Sequence, residues 1–110
     1  MSHSEDFRRT IRQGVRVGRP TLVLHADSSP SDQLRVGFVV SKAVGGAVVR
    51  NRVKRRLRHL AADRLADTPA GTRMVVRALP RSAEIPVELS PDLSSAWASA
   101  LRRLAERSAR

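Results

Sequence analysis

Strict alternation of hydrophobic and polar residues marks two stretches of the chain. In residues 34–41 the apolar side chains would share one face of a strand, and the alternation resumes in residues 73–79. A β-prone run at residues 21–26 is closed by the Ser, Asp and Pro cluster of residues 27–32. We therefore predict three half-buried strands, with a fourth if residues 15–17 form a short strand of their own.

Three other stretches have a helical period. The first helix is predicted from Ser4 to Gln13, with Ser4 as its cap and Gly14 ending it in the left-handed conformation. The second follows two glycines and ends near residue 68, and the third opens at Ser90, an N-cap followed by Pro91. The predicted apolar stripes of the second and third helices are Val49, Val53, Leu57, Leu60 and Ala61, and Leu93, Trp97, Ala100, Leu101 and Leu104.

The resulting order is αβββαβα, which predicts an α/β protein of the two-layer α+β type, with residues 81–89 as its linker. At 110 residues the chain is expected to form a single domain over residues 1–110. Its 21 basic and 10 acidic residues give a net charge of +11, which favours polyanionic partners, nucleic acid first. No apolar run approaches the roughly 18 residues of a membrane span, so we expect a cytoplasmic protein without a membrane partner.

The basic charge is concentrated in one part of the chain. Residues 33–62 contain eight Lys or Arg and no Asp or Glu, and residues 50–58 alone contain six cations. On a helix this segment would dock by its apolar stripe and present the cations over the remaining arc, spaced like phosphates. A merely solvated basic face is the alternative, but without acidic partners such a face would repel itself.

Nothing in the sequence predicts catalytic residues on the protein. The acidic residues are scattered, and Asp63 and Asp67, the one helical pair, lie beyond the basic segment as solvated charges. The three histidines lack the spacing of metal ligands, and the chain contains no cysteine. The paired glycines 45 and 46 match neither a Walker loop nor a dinucleotide-binding motif.

Two adjacent motifs resemble the protein component of bacterial ribonuclease P. Gly37-Phe38-Val39-Val40-Ser41-Lys42 is similar to that family's G-x-x-V-S-K strand end. Ala47-Val48-Val49-Arg50-Asn51-Arg52-Val53-Lys54-Arg55 is similar to its A-V-x-R-N-R-x-K-R helix start. The resemblance implies a four-stranded mixed sheet with a left-handed βαβ crossover, like ribosomal protein S5 domain 2, against the usual right-handed rule.

The resemblance also implies a function. Family members bind a catalytic RNA that holds Mg²⁺ and removes the 5′ leader of precursor tRNA, so both ribonuclease P RNA and precursor tRNA are expected partners. The protein would be an endoribonuclease subunit without catalytic residues of its own, binding no metal and no DNA.

Carried over position by position, the resemblance implies two binding surfaces. The residues that would face the catalytic RNA are Arg50, Asn51, Arg52, Lys54, Arg55 and Arg58. Those of the leader cleft, between the first helix and the open sheet face, are Phe7, Ile11, Val23, His25, Val39 and Lys42. Ile11 and His25 stand where the family often has aromatic residues, which predicts weaker stacking on leader bases, and Phe7 and Ile11 would also fit a core pair.

Two other functions fit the residues alone. A basic αβ domain of this size could be a ribosomal protein or another structured-RNA binding module with no part in cleavage. A DNA-binding protein could use the basic helix in a major groove, although no second helix lies a short turn before it and no heptads follow.

Overall fold

A computed structural model of the protein describes residues 3–30 and 32–109, with side chains from residue 7 onward. The side chain of the predicted cap Ser4 is outside the described side chains. Residue 31 of the predicted turn is outside the described residues. Short 3₁₀ turns occupy Leu65–Asp67 and Pro86–Glu88. The elements are α1 (His3–Gln13), β1 (Val15–Gly18), β2 (Leu22–Ser28), β3 (Arg35–Val39), α2 (Ala47–Ala62), β4 (Thr72–Ala78), α3 (Arg81–Glu84) and α4 (Leu89–Ser108).

The four strands form one mixed sheet in the order β1-β2-β4-β3. β2 is antiparallel to both β1 and β4, whereas β3 runs parallel to β4 and is joined to it through α2. This confirms the predicted two-layer fold with a four-stranded mixed sheet, and the optional strand at residues 15–17 is present as β1. The left-handed sense of the β3-α2-β4 crossover stays a prediction.

One face of the sheet carries the hydrophobic core under α2 and α4. The alternation predicted for β3 is confirmed, since Val36, Phe38 and Val40 pack against this core while Val39 is exposed. The predicted helical stripes are confirmed as well. Their buried members are Val53, Leu57 and Ala61 on α2 and Leu93, Trp97, Ala100 and Leu104 on α4.

The segment predicted to be a linker is folded. Within residues 81–89 the chain forms α3 and a 3₁₀ turn, and the fully buried Ser82 donates a 2.7 Å hydrogen bond to the Leu79 carbonyl. The predicted cap Ser90 is also wrong, because α4 begins at Leu89, which is fully buried and follows directly from the 3₁₀ turn. Asp92, in the first turn of α4, accepts hydrogen bonds from the backbone N–H and the hydroxyl of Thr21.

Gly14 ends α1 for a different reason than the one predicted. In the described chain, positive φ angles occur only at Gly45 and Gly71, so Gly14 is not left-handed. A Cβ on Gly14 would lie 2.4 Å from the Ala26 carbonyl oxygen and 2.5 Å from that of Thr10. Glycine is needed here because α1 meets the backbone of β2, and this close approach sets the helix on the sheet face opposite the core.

Candidate RNA-binding surfaces

Five cations of α2 together with Asn51 form a surface, which we call the α2 basic surface, on the side of the helix away from the core. Its members are Arg50, Asn51, Arg52, Lys54, Arg55 and Arg58. Arg50 and Lys54 are half-buried and the other four are exposed. Within the described part of the chain, none of the six side chains forms a hydrogen bond or an ion pair. The structure therefore brings these predicted residues together as unneutralised charge.

The start of α2 adds to this positive potential. Gly46 caps the helix in an extended conformation without a side-chain hydrogen bond, and no acidic residue stands in the first turn. The first N–H groups and the positive end of the helix dipole therefore point out of the fold. Nearby, the Nε of Arg50 is buried and has no acceptor among the described residues. An exposed Val48 and three members of the α2 basic surface line a concavity of about 290 Å³.

The other candidate surface lies on the sheet face opposite the core, which we call the α1 face. The strand register places Val23, Arg77 and Val39 side by side across β2, β4 and β3. It places His25 beside Val75 in the next row, followed by Gly37. The predicted cleft residues Val23, His25 and Val39 therefore do share one face, and Lys42 is exposed just beyond β3.

Helix α1 crosses this face and is held there by a buried network that the sequence did not reveal. Asp27 accepts hydrogen bonds from the Thr10 hydroxyl at 2.9 Å and from Arg73 Nε and Nη2 at 2.9 and 2.7 Å. All three residues are buried. Asp27 was predicted to belong to the turn, but β2 continues through Ser28 and carries the carboxylate under α1. The sequence contained one sign of this network. The alternation of charged and apolar residues in β4 places Arg73 on the α1 face.

The two apolar residues of α1 have different exposure. The ring of Phe7 lies so close over Gly37 that a Cβ there would be 2.5 Å from ring carbons Cε2 and Cζ. Phe7 is half-buried, whereas Ile11 is 37% exposed. The core-pair alternative therefore fails for Ile11, and Phe7 packs on the α1 face rather than in the core between the sheet and α2 and α4. Beside them lies the row of Val23, Arg77 and Val39, of which Arg77 and Val39 are exposed and Val23 is buried.

His25 is the unusual group of the α1 face. It is 4% exposed, yet neither ring nitrogen has a hydrogen-bond partner among the described residues. Burial, and then the charges of Arg77 and Arg16, lower the pKa of His25 below its ordinary value. The lowered pKa favours the neutral form of the ring. Both arginines are exposed, and sequence reasoning did not include either of them in the cleft.

No group of His, Asp or Glu side chains among the described residues could hold a metal ion. None of the described helices is long and apolar enough to cross a membrane.

The fold has close counterparts among solved structures. The ribonuclease P protein from Staphylococcus aureus superposes with a TM-score of 0.80 at 24% sequence identity, covering 92% of this chain and 95% of that one. The ribonuclease P protein from Thermotoga maritima superposes with a TM-score of 0.73 at 22% identity, covering 94% of each chain. The fold is thus that of ribonuclease P proteins.

Sequence relatives carry the assignment from fold to family. The Ribonuclease P family profile matches residues 1–104. The chain is 52% identical over 102 residues to the ribonuclease P protein component of Streptomyces bikiniensis, covering 84% of this chain and 83% of that one. It is 51% identical over 106 residues to that of Kocuria rhizophila, covering 96% and 94%. The chain belongs to the ribonuclease P protein component family.

Proposed function

We propose that the chain binds the catalytic RNA of ribonuclease P through the α2 basic surface and the 5′ leader of precursor tRNA through the α1 face. Bound in this way it promotes removal of the leader, which gives the mature 5′ end of the tRNA. The observation that carries the proposal is the α2 basic surface itself, whose six side chains have no partners in the described chain. RNA phosphates, spaced along a backbone, are acceptors that suit such an array.

In this proposal the protein supplies no catalytic group. We assign Mg²⁺ and the hydrolysis to the catalytic RNA, as the resemblance to the family implies. The protein contributes cations close to the RNA, which lower the repulsion between phosphates and so lower the Mg²⁺ concentration that the complex needs. The family assignment favours this role over those of a ribosomal protein or a DNA-binding protein.

On the α1 face the leader would lie between α1 and the row of Val23, Arg77 and Val39. Phe7 offers an aromatic ring held against Gly37. Arg77 and Arg16 offer charges to the leader phosphates, and Lys42 offers another just beyond β3. A single strand is bound in this way when aromatic rings and cations follow one groove. Since His25 is buried and its lowered pKa favours the neutral form, its role is to shape the floor rather than to add charge.

Reconstitution with a bacterial ribonuclease P RNA tests the proposal. The protein should lower the Mg²⁺ concentration needed for cleavage at the mature 5′ end, and the protein alone should cleave nothing. Cleavage by the pure protein without RNA, abolished by Asp63→Asn or Asp67→Asn, would contradict it.

A pair of substitutions separates the two surfaces. Arg52→Ala should weaken assembly with the catalytic RNA for every substrate alike. Phe7→Ala should leave assembly intact but weaken binding of precursor tRNA with a long leader by about 5- to 150-fold, since stacking is worth roughly 1–3 kcal/mol. Mature tRNA, which has no leader, is the control. Equal losses for both tRNAs, together with a large drop in melting temperature, would instead make Phe7 a purely structural residue.

A further inference from the structure

A second cavity lies on the flank of α1 away from Ile11, between the C-terminal ends of α1 and α4. Its volume is about 350 Å³, and it opens to solvent next to the end of β2. We call it the α1–α4 pocket. At 100° per residue, Arg9 and Gln13 fall on this flank of α1, and both line the pocket. The pocket is therefore separated from the α1-face cleft by the body of the helix, and it shares none of the predicted site residues.

The pocket is cationic. Asp27 is the one carboxylate among its described lining residues, and it already accepts hydrogen bonds from Thr10 and from two nitrogens of Arg73. The charges of Asp27 and Arg73 cancel at the floor of the pocket. Arg9 and Arg107 on the two walls therefore give the pocket a net positive charge, which the negative dipole ends of α1 and α4 offset only in part.

The walls are held in place by hydrogen bonds between elements far apart in sequence. Arg107 Nη2 donates to the Gln13 carbonyl at 2.9 Å, and Arg103 Nη1 donates to the Arg16 carbonyl at 2.7 Å. These bonds fix the end of α4 against the end of α1. A guanidinium carries five N–H donors, so one bond to Gln13 leaves Arg107 with donors for a second acceptor. Arg9, exposed on α1, has no side-chain hydrogen bond in the described chain.

Size and lining narrow the class of ligand. A cavity of about 350 Å³ holds more than a phosphate group and lies within the range of clefts that hold small organic ligands. Ser28 and Ser108 line it together with the arginines, and Leu104 and Pro30 give it a small apolar patch. Guanidinium groups pair with phosphate oxygens, whereas hydroxyls and a small apolar patch suit a sugar.

We propose that the α1–α4 pocket binds one phosphate group and the adjoining ribose of an RNA backbone, as a third contact beyond the α2 basic surface and the proposed leader site on the other flank of α1. This inference rests on the proposed function only in that the proposed function brings RNA to the protein. The pocket differs from the α2 basic surface because it would enclose a single nucleotide unit, whereas the α2 basic surface would contact several successive phosphates of the RNA backbone.

In the first test, inorganic phosphate and then a uridine dinucleotide are titrated into the protein. Binding of each probe is measured by NMR of the arginine side chains. Both probes should shift the Nε–H signals of Arg9 and Arg107 saturably. The variant Arg9→Gln/Arg107→Gln should bind each probe about tenfold or more weakly, since a lost charge-assisted hydrogen bond is worth at least a factor of ten. The matched control Arg12→Gln/Arg102→Gln removes the same charge from exposed positions on the same two helices outside the pocket, and should bind as before.

The second test uses the complete complex with a bacterial ribonuclease P RNA. The pocket variant should reduce the slope of log K against log[salt] by about 0.7–0.9, the contribution of one phosphate contact, and the control should not. If the probes bind the pocket but the slope is unchanged, the site holds a free anion and the RNA assignment is wrong. If variant and control behave alike, the pocket is only part of the general positive field. Loss of assembly in Arg52→Ala is independent of either outcome, so the proposed function and this inference can fail separately.

Discussion

On the α2 basic surface the charged side chains have no partners in the described chain, whereas on the α1 face Arg73 and Asp27 are buried against each other. The first surface keeps its charge available for a ligand, so a substitution there should weaken ligand binding without changing the stability of the fold. On the α1 face the buried charges of Asp27 and Arg73 hold α1 in place. The shape of this face therefore depends on the same contacts that stabilise the fold. Substitutions on the two surfaces should therefore differ in whether they change stability or only RNA binding.

The largest effect is expected at the buried network. Asp27→Ala removes the carboxylate that accepts three hydrogen bonds and faces the buried charge of Arg73, and it should lower the free energy of unfolding by about 3–5 kcal/mol. Urea denaturation measures this. Asp32→Ala, at an exposed carboxylate, is the control and should stay within about 0.5 kcal/mol of the native protein. A native midpoint for Asp27→Ala would show that α1 does not depend on this network.

A smaller effect is expected where Phe7 lies on β3. An alanine Cβ at Gly37 would sit 2.5 Å from the ring, so the ring must move, at a cost of about 1–3 kcal/mol of stability. Gly37→Ala should also weaken binding of a precursor tRNA with a long leader, in the same direction as Phe7→Ala, while assembly with the catalytic RNA persists. Gly18→Ala is a matched control, because a Cβ there meets nothing within 4 Å. Unchanged leader binding in Gly37→Ala would show that leader recognition does not depend on the position of the Phe7 ring.

On the α2 basic surface the expected change lies in salt dependence rather than in stability. If the six cations of residues 50–58 contact about six phosphates, the slope of log K against log[salt] should be near −4 to −5. Loss of two of these contacts in Arg55→Glu/Arg58→Glu should flatten it by about 1.4–1.8. The far-UV spectrum and the urea midpoint should stay native. Arg12→Glu/Arg102→Glu provides the same change of net charge elsewhere on the surface. If both variants change the slope equally, the position of the charge on α2 does not matter.

The smallest effect concerns His25. Because its pKa is lowered in the fold, the unfolded chain binds a proton more readily, and protonation favours unfolding. Stability should be constant above the ordinary pKa of about 6.5 and should fall as the pH drops below it, by at most about 1.4 kcal/mol per pH unit. His25→Phe should lack this dependence between pH 7.5 and 5.5, whereas the exposed His59→Gln should keep it. A parallel loss of stability in His25→Phe would assign the dependence to other groups.

The sequence predicted those features that depend on local periodicity. The stripe of α2, the alternation of β3 and the face of Val39 follow from side-chain spacing alone, and all are confirmed. Features that depend on contacts between distant elements were missed or wrong. Asp27 reads as a turn residue until α1 lies above it, and Gly14 reads as a left-handed cap until the Ala26 carbonyl is known to approach it.

The predicted binding residues divide in the same way. The α2 positions could be assembled from one helix, and the structure brings them together as expected. In the α1 face, Arg16 and Arg77 were missed because they join His25 only through the pairing of β1, β2 and β4. Assignment of either surface to its RNA stays a prediction.

The bonds from α4 back to α1 and β1 have a consequence for how the protein is made. Arg103 and Arg107 reach carbonyl groups 87 and 94 residues earlier in the chain, and α4 also covers the apolar side of β1 and β2. During synthesis α4 emerges from the ribosome after every other described element. Until then α4 cannot cover the apolar side of β1 and β2. Domains generally fold as units while the N-terminal part emerges first. For this protein that unit is complete only when α4, the last of the described elements, has been synthesised and can cover the apolar side of β1 and β2.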